Sequence, residues 1–217
     1  MISDLVKKTS DYVRLKLLNE HTGHDWCHVE RVWKTAKMLQ ETEGGNLELL
    51  ELATLLHDLG DYKKYNFSEK KGGLALSAMM DVLEIEEEKQ RKIIRIISEA
   101  EYKGGDTKVP STIEGKILQD ADNLDALGAI GVARTFATGG FIKRMMHDPK
   151  RKVRHKLCKE DFQLRKQEGT SLNYFYEKVL KLPSVMNTKK ARVIAEKRVE
   201  FVKLFIDNFL LECKGEK

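Results

Sequence analysis

The sequence predicts an all-α protein. Apolar residues recur at intervals of three and four through most of the chain, as in Val29, Val32, Ala36 and Leu39, and again in Ile93, Ile94 and Ile97. Only three prolines interrupt 217 residues. None of the longer segments alternates polar with apolar residues as a half-buried strand does.

Helix punctuation places the elements in order. A first helix is expected over 2–18 and a second over 25–42, with Gly44 and Gly45 separating it from a third that ends near Leu59. "SEKKGGLALSAMMDVLEI" and "EEKQRKIIRIISEAEY" supply the fourth and fifth. "STIE" at 111–114 reads as a capping box, Ser111 and Glu114 serving each other's free amides, ahead of "GKILQDADNLDALGAIG". The glycines at 139 and 140 end the helix that carries Arg134. Two long helices close the chain, one after Thr170 and one from Thr188 to about Leu211.

A chain of 217 residues can bury a sizeable core, and one domain over 1–217 is expected. Lys and Arg total 39 against 34 Asp and Glu, a net charge of +5. That mild excess suits a local anion site better than a general nucleic-acid surface, and no basic stripe carries base-stacking aromatics. The three cysteines, Cys27, Cys158 and Cys213, are isolated and fit a reducing compartment. "MISDLVKKTSDY" lacks the apolar core of a leader and no stretch reaches the length of a membrane span, so a cytoplasmic location is expected. Charge is uneven in one place: residues 147–166 hold eight Lys or Arg against three acids, +5 in that segment alone. It reads either as a solvated loop, the usual fate of a charge run, or as a flap that closes over an anion.

Chemistry concentrates elsewhere. His24 and His28 stand four apart, on one face of the second helix. "GHDWCHVERV" at 23–32, "LLHDLGD" at 55–61 and "LQDADNLDALGAIGVARTF" at 118–136 follow in that order. Together they resemble the HD-domain metal-dependent phosphohydrolases, over a core of about 22–136. "TSLNYFYEKVLKL" and "MNTKKARVIAEKRVEF" resemble the bacterial subgroup that cleaves nucleoside triphosphates to monophosphate and pyrophosphate. The resemblance implies a single helical bundle of the HD type over 1–217. Its motif-bearing core is followed by the basic segment at about 141–169 and by C-terminal helices at about 170–213 packed on it.

By position, the resemblance implies His28, His57, Asp58 and Asp122 as metal ligands. His24 competes with His28, and Asp120 and Asp125 with Asp122; the family register favours His28 and Asp122. Imidazole and carboxylate donors without thiolates suit one divalent ion, Mn2+ foremost, with Mg2+, Co2+, Ni2+, Fe2+ or Zn2+ as alternatives. No histidine lies between Asp58 and Asp122, where relatives with several metals add them, so one ion is expected. Asp61 stands where related enzymes place a carboxylate that handles the attacking water, often a glutamate; a cap or surface turn beside Gly60 is the competing reading. Lys103 and Arg134 are the phosphate candidates, each with a structural alternative: a solvent-facing lysine in a Gly-rich turn, and an arginine pinning a loop through carbonyls. The implied substrate is a small-molecule nucleotide. A phosphomonoesterase, a phosphodiesterase and a nucleotide sensor without turnover are the alternatives.

Overall fold

In the computed structural model of the chain, residues 3–20, 22–59, 69–100, 108–154 and 169–216 are described. Every regular element among them is helical: α1 (Asp4–Lys16), α2 (Trp26–Glu43), α3 (Leu47–Leu56), α4 (Glu69–Val82), α5 (Glu87–Ala100), α6 (Ile113–Asp125), α7 (Gly128–Phe141), α8 (Ser171–Glu177), a 3-10 segment (Val179–Val185) and α9 (Lys189–Lys214). The all-α expectation holds. The chain divides into two compact units. One comprises Met1–Glu20, His24–Glu101 and Val109–Ala121; the other comprises His21–Gly23, Tyr102–Lys108 and Asp122–Lys217.

The first unit is built around α3. Its sequence, LELLELATLL, is apolar on nearly every face, and a helix of that kind must be surrounded. Helices α1, α2 and α5 pack against it, and every residue from Leu50 to Leu56 is buried. Each fully buried leucine contributes roughly 1.5–3 kcal/mol, so the helix is held firmly in register. The charged residue in that run, Glu51, is 4% exposed and takes Trp33 Nε1 at 3.1 Å and Lys37 Nζ at 3.2 Å from α2. These contacts fix the rotation of α2 against α3. Helix α2 starts on Asp25 and ends at Gly44, whose φ of +77° is one an L side chain rarely adopts.

Two local expectations for this unit are corrected. The face that α5 buries is centred on Ile93, Ile96 and Ala100, with Ile94 and Ile97 half-buried at its margin. The capping box at 111–114 does not form. Thr112 Oγ1 accepts from Gly115 N at 3.0 Å, Ser111 donates both N and Oγ to Glu99, and Glu114 accepts from Asn46 N at 2.7 Å. Tertiary partners, Glu99 as acceptor and the Asn46 N–H as donor, outcompete the local pair because they also tie the start of α6 to α5 and to the start of α3.

In the second unit, α7, α8, the 3-10 segment and α9 surround a cluster of Phe136, Phe175, Phe205 and Phe209, with ring centroids 5.8–6.0 Å apart. Residues 115–131 are not one helix. The chain leaves α6 after Asp125, passes through an extended Leu127 and restarts at Gly128, whose φ is +68°. Arg198 of α9 donates Nη1 to the Leu124 carbonyl at 2.7 Å, satisfying an acceptor that the break exposes. The helix after Thr170 is also shorter than expected, seven residues, and passes into the tighter 3-10 segment that contains Pro183.

Candidate metal centre

His28 enters the site from the first turn of α2. The Asp25 side chain caps that helix by accepting from His28 N at 2.7 Å, which sets the backbone from which the imidazole projects. The His28 side chain is fully buried, on the same stripe as Val32, Ala36 and Leu39. His57 and Asp58 arrive from α3, His57 as its C-cap and Asp58 in the following turn. A buried helix thus ends by delivering two donors to one point.

The three side chains converge. His28 Nε2 lies 3.4 Å from Asp58 Oδ2, and His57 Nε2 lies 3.6 Å from Asp58 Oδ1. One donor atom from each of the three falls within 4.8 Å of the others. The His28 and His57 rings meet edge to face with centroids 5.4 Å apart. Ligands on one divalent ion with bonds of about 2.1 Å stand about 3.0 Å apart when adjacent and about 4.2 Å apart when opposite. The His28–Asp58 and His57–Asp58 separations lie in that range, and the donor types suit a single ion.

His57 is prepared for such a role by its other nitrogen. Nδ1 lies 2.7 Å from the Thr54 carbonyl oxygen, which can only accept, so Nδ1 carries the proton and Nε2 presents its lone pair toward Asp58. Thr54 was not singled out in the sequence, and no signal there could have done so, because a backbone carbonyl belongs to any residue. The α-helical hydrogen-bond pattern alone shows that the last turn of α3 has carbonyls to offer.

His24, the competitor, stays outside this triad. Its ring meets His28 edge to face at 5.6 Å, and its backbone N–H donates to Glu20 Oε2 at 3.0 Å. Asp122 belongs to the second unit, in the last turn of α6, partly exposed. Of its two competitors, Asp120 is fully buried and Asp125 is engaged by Arg134, whose Nη1 lies 3.2 Å from Asp125 Oδ2. Arg134 Nε also donates to the Gly23 carbonyl at 2.7 Å. Two of the three guanidinium nitrogens therefore act structurally, and the loop that Arg134 pins is the one containing Gly23, not 138–140. Thr138 reinforces it by donating to the Thr22 carbonyl at 2.7 Å. Gly23 sits at φ +88°, which strains any L side chain. Asp61 and Lys103 lie outside the described residues. In the described part of the basic segment, Arg151 pairs with Asp148 at 3.3 Å, and Arg154 is clamped by Glu177. Those two arginines are committed to the fold.

A model of the HD domain matches residues 25–127. Bacillus subtilis YpgQ is 34% identical over 209 residues, covering 94% of this chain and 91% of that protein. The crystal structure of YpgQ in complex with ADP superposes with a TM-score of 0.70 at 29% identity, over 96% of this chain and all of that one. An HD-superfamily hydrolase from Bacillus thuringiensis is 41% identical with a TM-score of 0.70, over 96% of both chains. A Lactobacillus plantarum protein superposes with a TM-score of 0.88 at 32% identity, over 99% of this chain and 100% of that one. No helix among the described residues is long and apolar enough to cross a membrane.

Proposed function

The chain belongs to the HD superfamily of hydrolases, and from that premise we propose that it hydrolyses (deoxy)nucleoside triphosphates to monophosphate and pyrophosphate. The observation that carries this reading is the convergence of His28, His57 and Asp58 on one point, with the Thr54 carbonyl holding the proton of His57 on Nδ1. The ADP complex of YpgQ supports a nucleotide as the ligand.

His28, His57 and Asp58 would hold one divalent ion, Mn2+ first among the candidates, with Asp122 as the proposed fourth ligand. Bound there, such an ion supplies Lewis-acid polarisation of a phosphoryl oxygen and acidifies a water. The remaining roles fall to the protein. A water oxygen bonds to the α-phosphorus, the bridging bond to the β-phosphate breaks, and pyrophosphate leaves with the electron pair. Asp61 takes the proton of that water. Lys103 supplies positive charge to the phosphates, and Arg134 does so through Nη2, the nitrogen its structural bonds leave over.

Incubation with Mn2+ and a panel of nucleotides, with products separated by chromatography, tests this directly. Pyrophosphate plus monophosphate is the expected result. Inorganic phosphate or an opened cyclic diester assigns the site to another phosphoester, and saturable binding without turnover assigns it to a sensor. Asp58→Ala is expected to abolish both bound metal and hydrolysis while leaving the helical circular dichroism intact. Activity retained in that variant removes the metal assignment.

A further inference from the structure

Helix α9 buries one face through Ala191, Ala195, Val199, Val202 and Ile206 and turns the opposite face outward. Along that outward face run Lys190, Val193, Lys197, Glu200, Leu204 and Asp207, separated alternately by three and four residues. That is the spacing by which one helix lies along another. Val193 is 53% exposed and Leu204 60%, and Phe201, 46% exposed, adjoins both Lys197 and Leu204 at helical spacing.

The order of residues on this face is complementary to its own reverse. About the point midway between Arg198 and Val199, Lys190 stands as far on one side as Asp207 on the other, Val193 as far as Leu204, and Lys197 as far as Glu200. A second α9 laid antiparallel across a two-fold axis at that point therefore sets cation against anion and apolar against apolar along the whole face. A parallel pairing in register would set Lys197 on Lys197 and Glu200 on Glu200, which repel.

We propose that a second copy of this chain docks on the outward face of α9, in a two-fold symmetric contact between antiparallel helices. Val193, Phe201 and Leu204 supply the apolar area removed from water. Lys197 with Glu200, and Lys190 with Asp207, set direction and register, the part that polar residues play on a helical seam at some cost in stability. One patch that serves both subunits is the arrangement a closed dimer requires. The seam from Lys190 to Asp207 is about 26 Å long by the helical rise, and each charge on it is used twice. The contact lies within the second unit and uses none of the residues assigned to the metal or to the triphosphate.

The test is sedimentation equilibrium of the full-length protein over a concentration series. Wild type is expected to dimerise. Lys197→Glu alone, or Glu200→Lys alone, creates two like-charge contacts at the centre of the seam and is expected to weaken the dimer about tenfold or more. An equimolar mixture of those two variants is expected to form a heterodimer, because both contacts become attractive again, and the double variant carrying both changes is expected to dimerise as wild type does. Rescue by mixing also separates charge reversal from misfolding, since a variant that has lost its fold regains nothing from a partner. Leu204→Glu is expected to weaken the dimer while leaving helical circular dichroism intact. A wild type that stays monomeric throughout overturns the proposal and leaves the face to a partner of other chemistry. Single reversals or Leu204→Glu that leave the dimer as tight as wild type place the contact elsewhere, and reversals that mixing does not rescue deny the antiparallel register; each overturns the proposal.

Discussion

Replacing Arg134 by alanine is expected to destabilise the fold more than it weakens substrate binding. The substitution deletes a charged hydrogen bond to the Gly23 carbonyl, 2.7 Å, and withdraws a guanidinium 3.2 Å from Asp125, whose side chain is 7% exposed. A hydrogen bond to a charged group contributes about 1.5–3 kcal/mol, and breaking one half of a buried ion pair costs about 3–5 kcal/mol. Arg134 is itself 15% exposed and the two contributions overlap, so a loss of about 3–4 kcal/mol is expected. For a chain of this size each kcal/mol lowers the melting temperature by roughly 2–4 °C, giving a fall of about 6–16 °C by calorimetry. The double variant Asp125→Asn, Arg134→Gln is expected to recover at least part of that loss, because it removes both charges together. An Arg134→Ala protein that melts within about 2 °C of wild type but shows a raised KM would refute the reasoning and make Arg134 a phosphate ligand first.

Glu177→Ala is expected to cost about 3 kcal/mol, since it removes three bonds from Arg154 in a nearly inaccessible position; equilibrium urea unfolding measures it. Glu99 is held down at about 2, by the Ser111 hydroxyl first and then by Arg95 and the Ser111 N–H. A depressed carboxylate stabilises above its ordinary value of 4.5, and that contribution is lost as pH falls toward 2. Wild type and Glu99→Gln are therefore expected to differ in melting temperature at pH 7 and to converge near pH 2; a gap that stays constant contradicts the assignment. The expectation of one domain over 1–217 is tested by differential scanning calorimetry, where a single transition with matching calorimetric and van't Hoff enthalpies supports it and two resolved transitions make the compact units independent.

Much of this architecture is visible in the sequence because helices are local. The apolar interval in "LELLELATLL", the cap at Asp25 and the stop at Gly44 each act within one or two turns, so the elements of the first unit follow from residues near one another. The order of His28, His57–Asp58 and Asp122 is equally legible, since the residue types announce the chemistry. Elements fixed by distant partners are not. Ser111 and Glu114 have the composition of a capping box, yet Glu99 and Asn46 claim them from elsewhere in the chain. The break between α6 and α7 depends on Gly128 and on Arg198 of α9 reaching the Leu124 carbonyl.

By itself, then, the sequence determined the helical class, the family pattern and which residues could serve as metal donors, because periodicity and residue chemistry are carried in every short stretch. Only the tertiary structure decided which donors meet: His28 rather than His24 lies against His57 and Asp58, with the tautomer of His57 set by a carbonyl that no side-chain pattern reveals. It also decided that Arg134 is a clamp on Gly23 and Asp125, and that the Arg144 guanidinium lies over the Tyr174 ring. Convergence in space is a property of packing, and packing is settled by contacts between residues far apart in the chain.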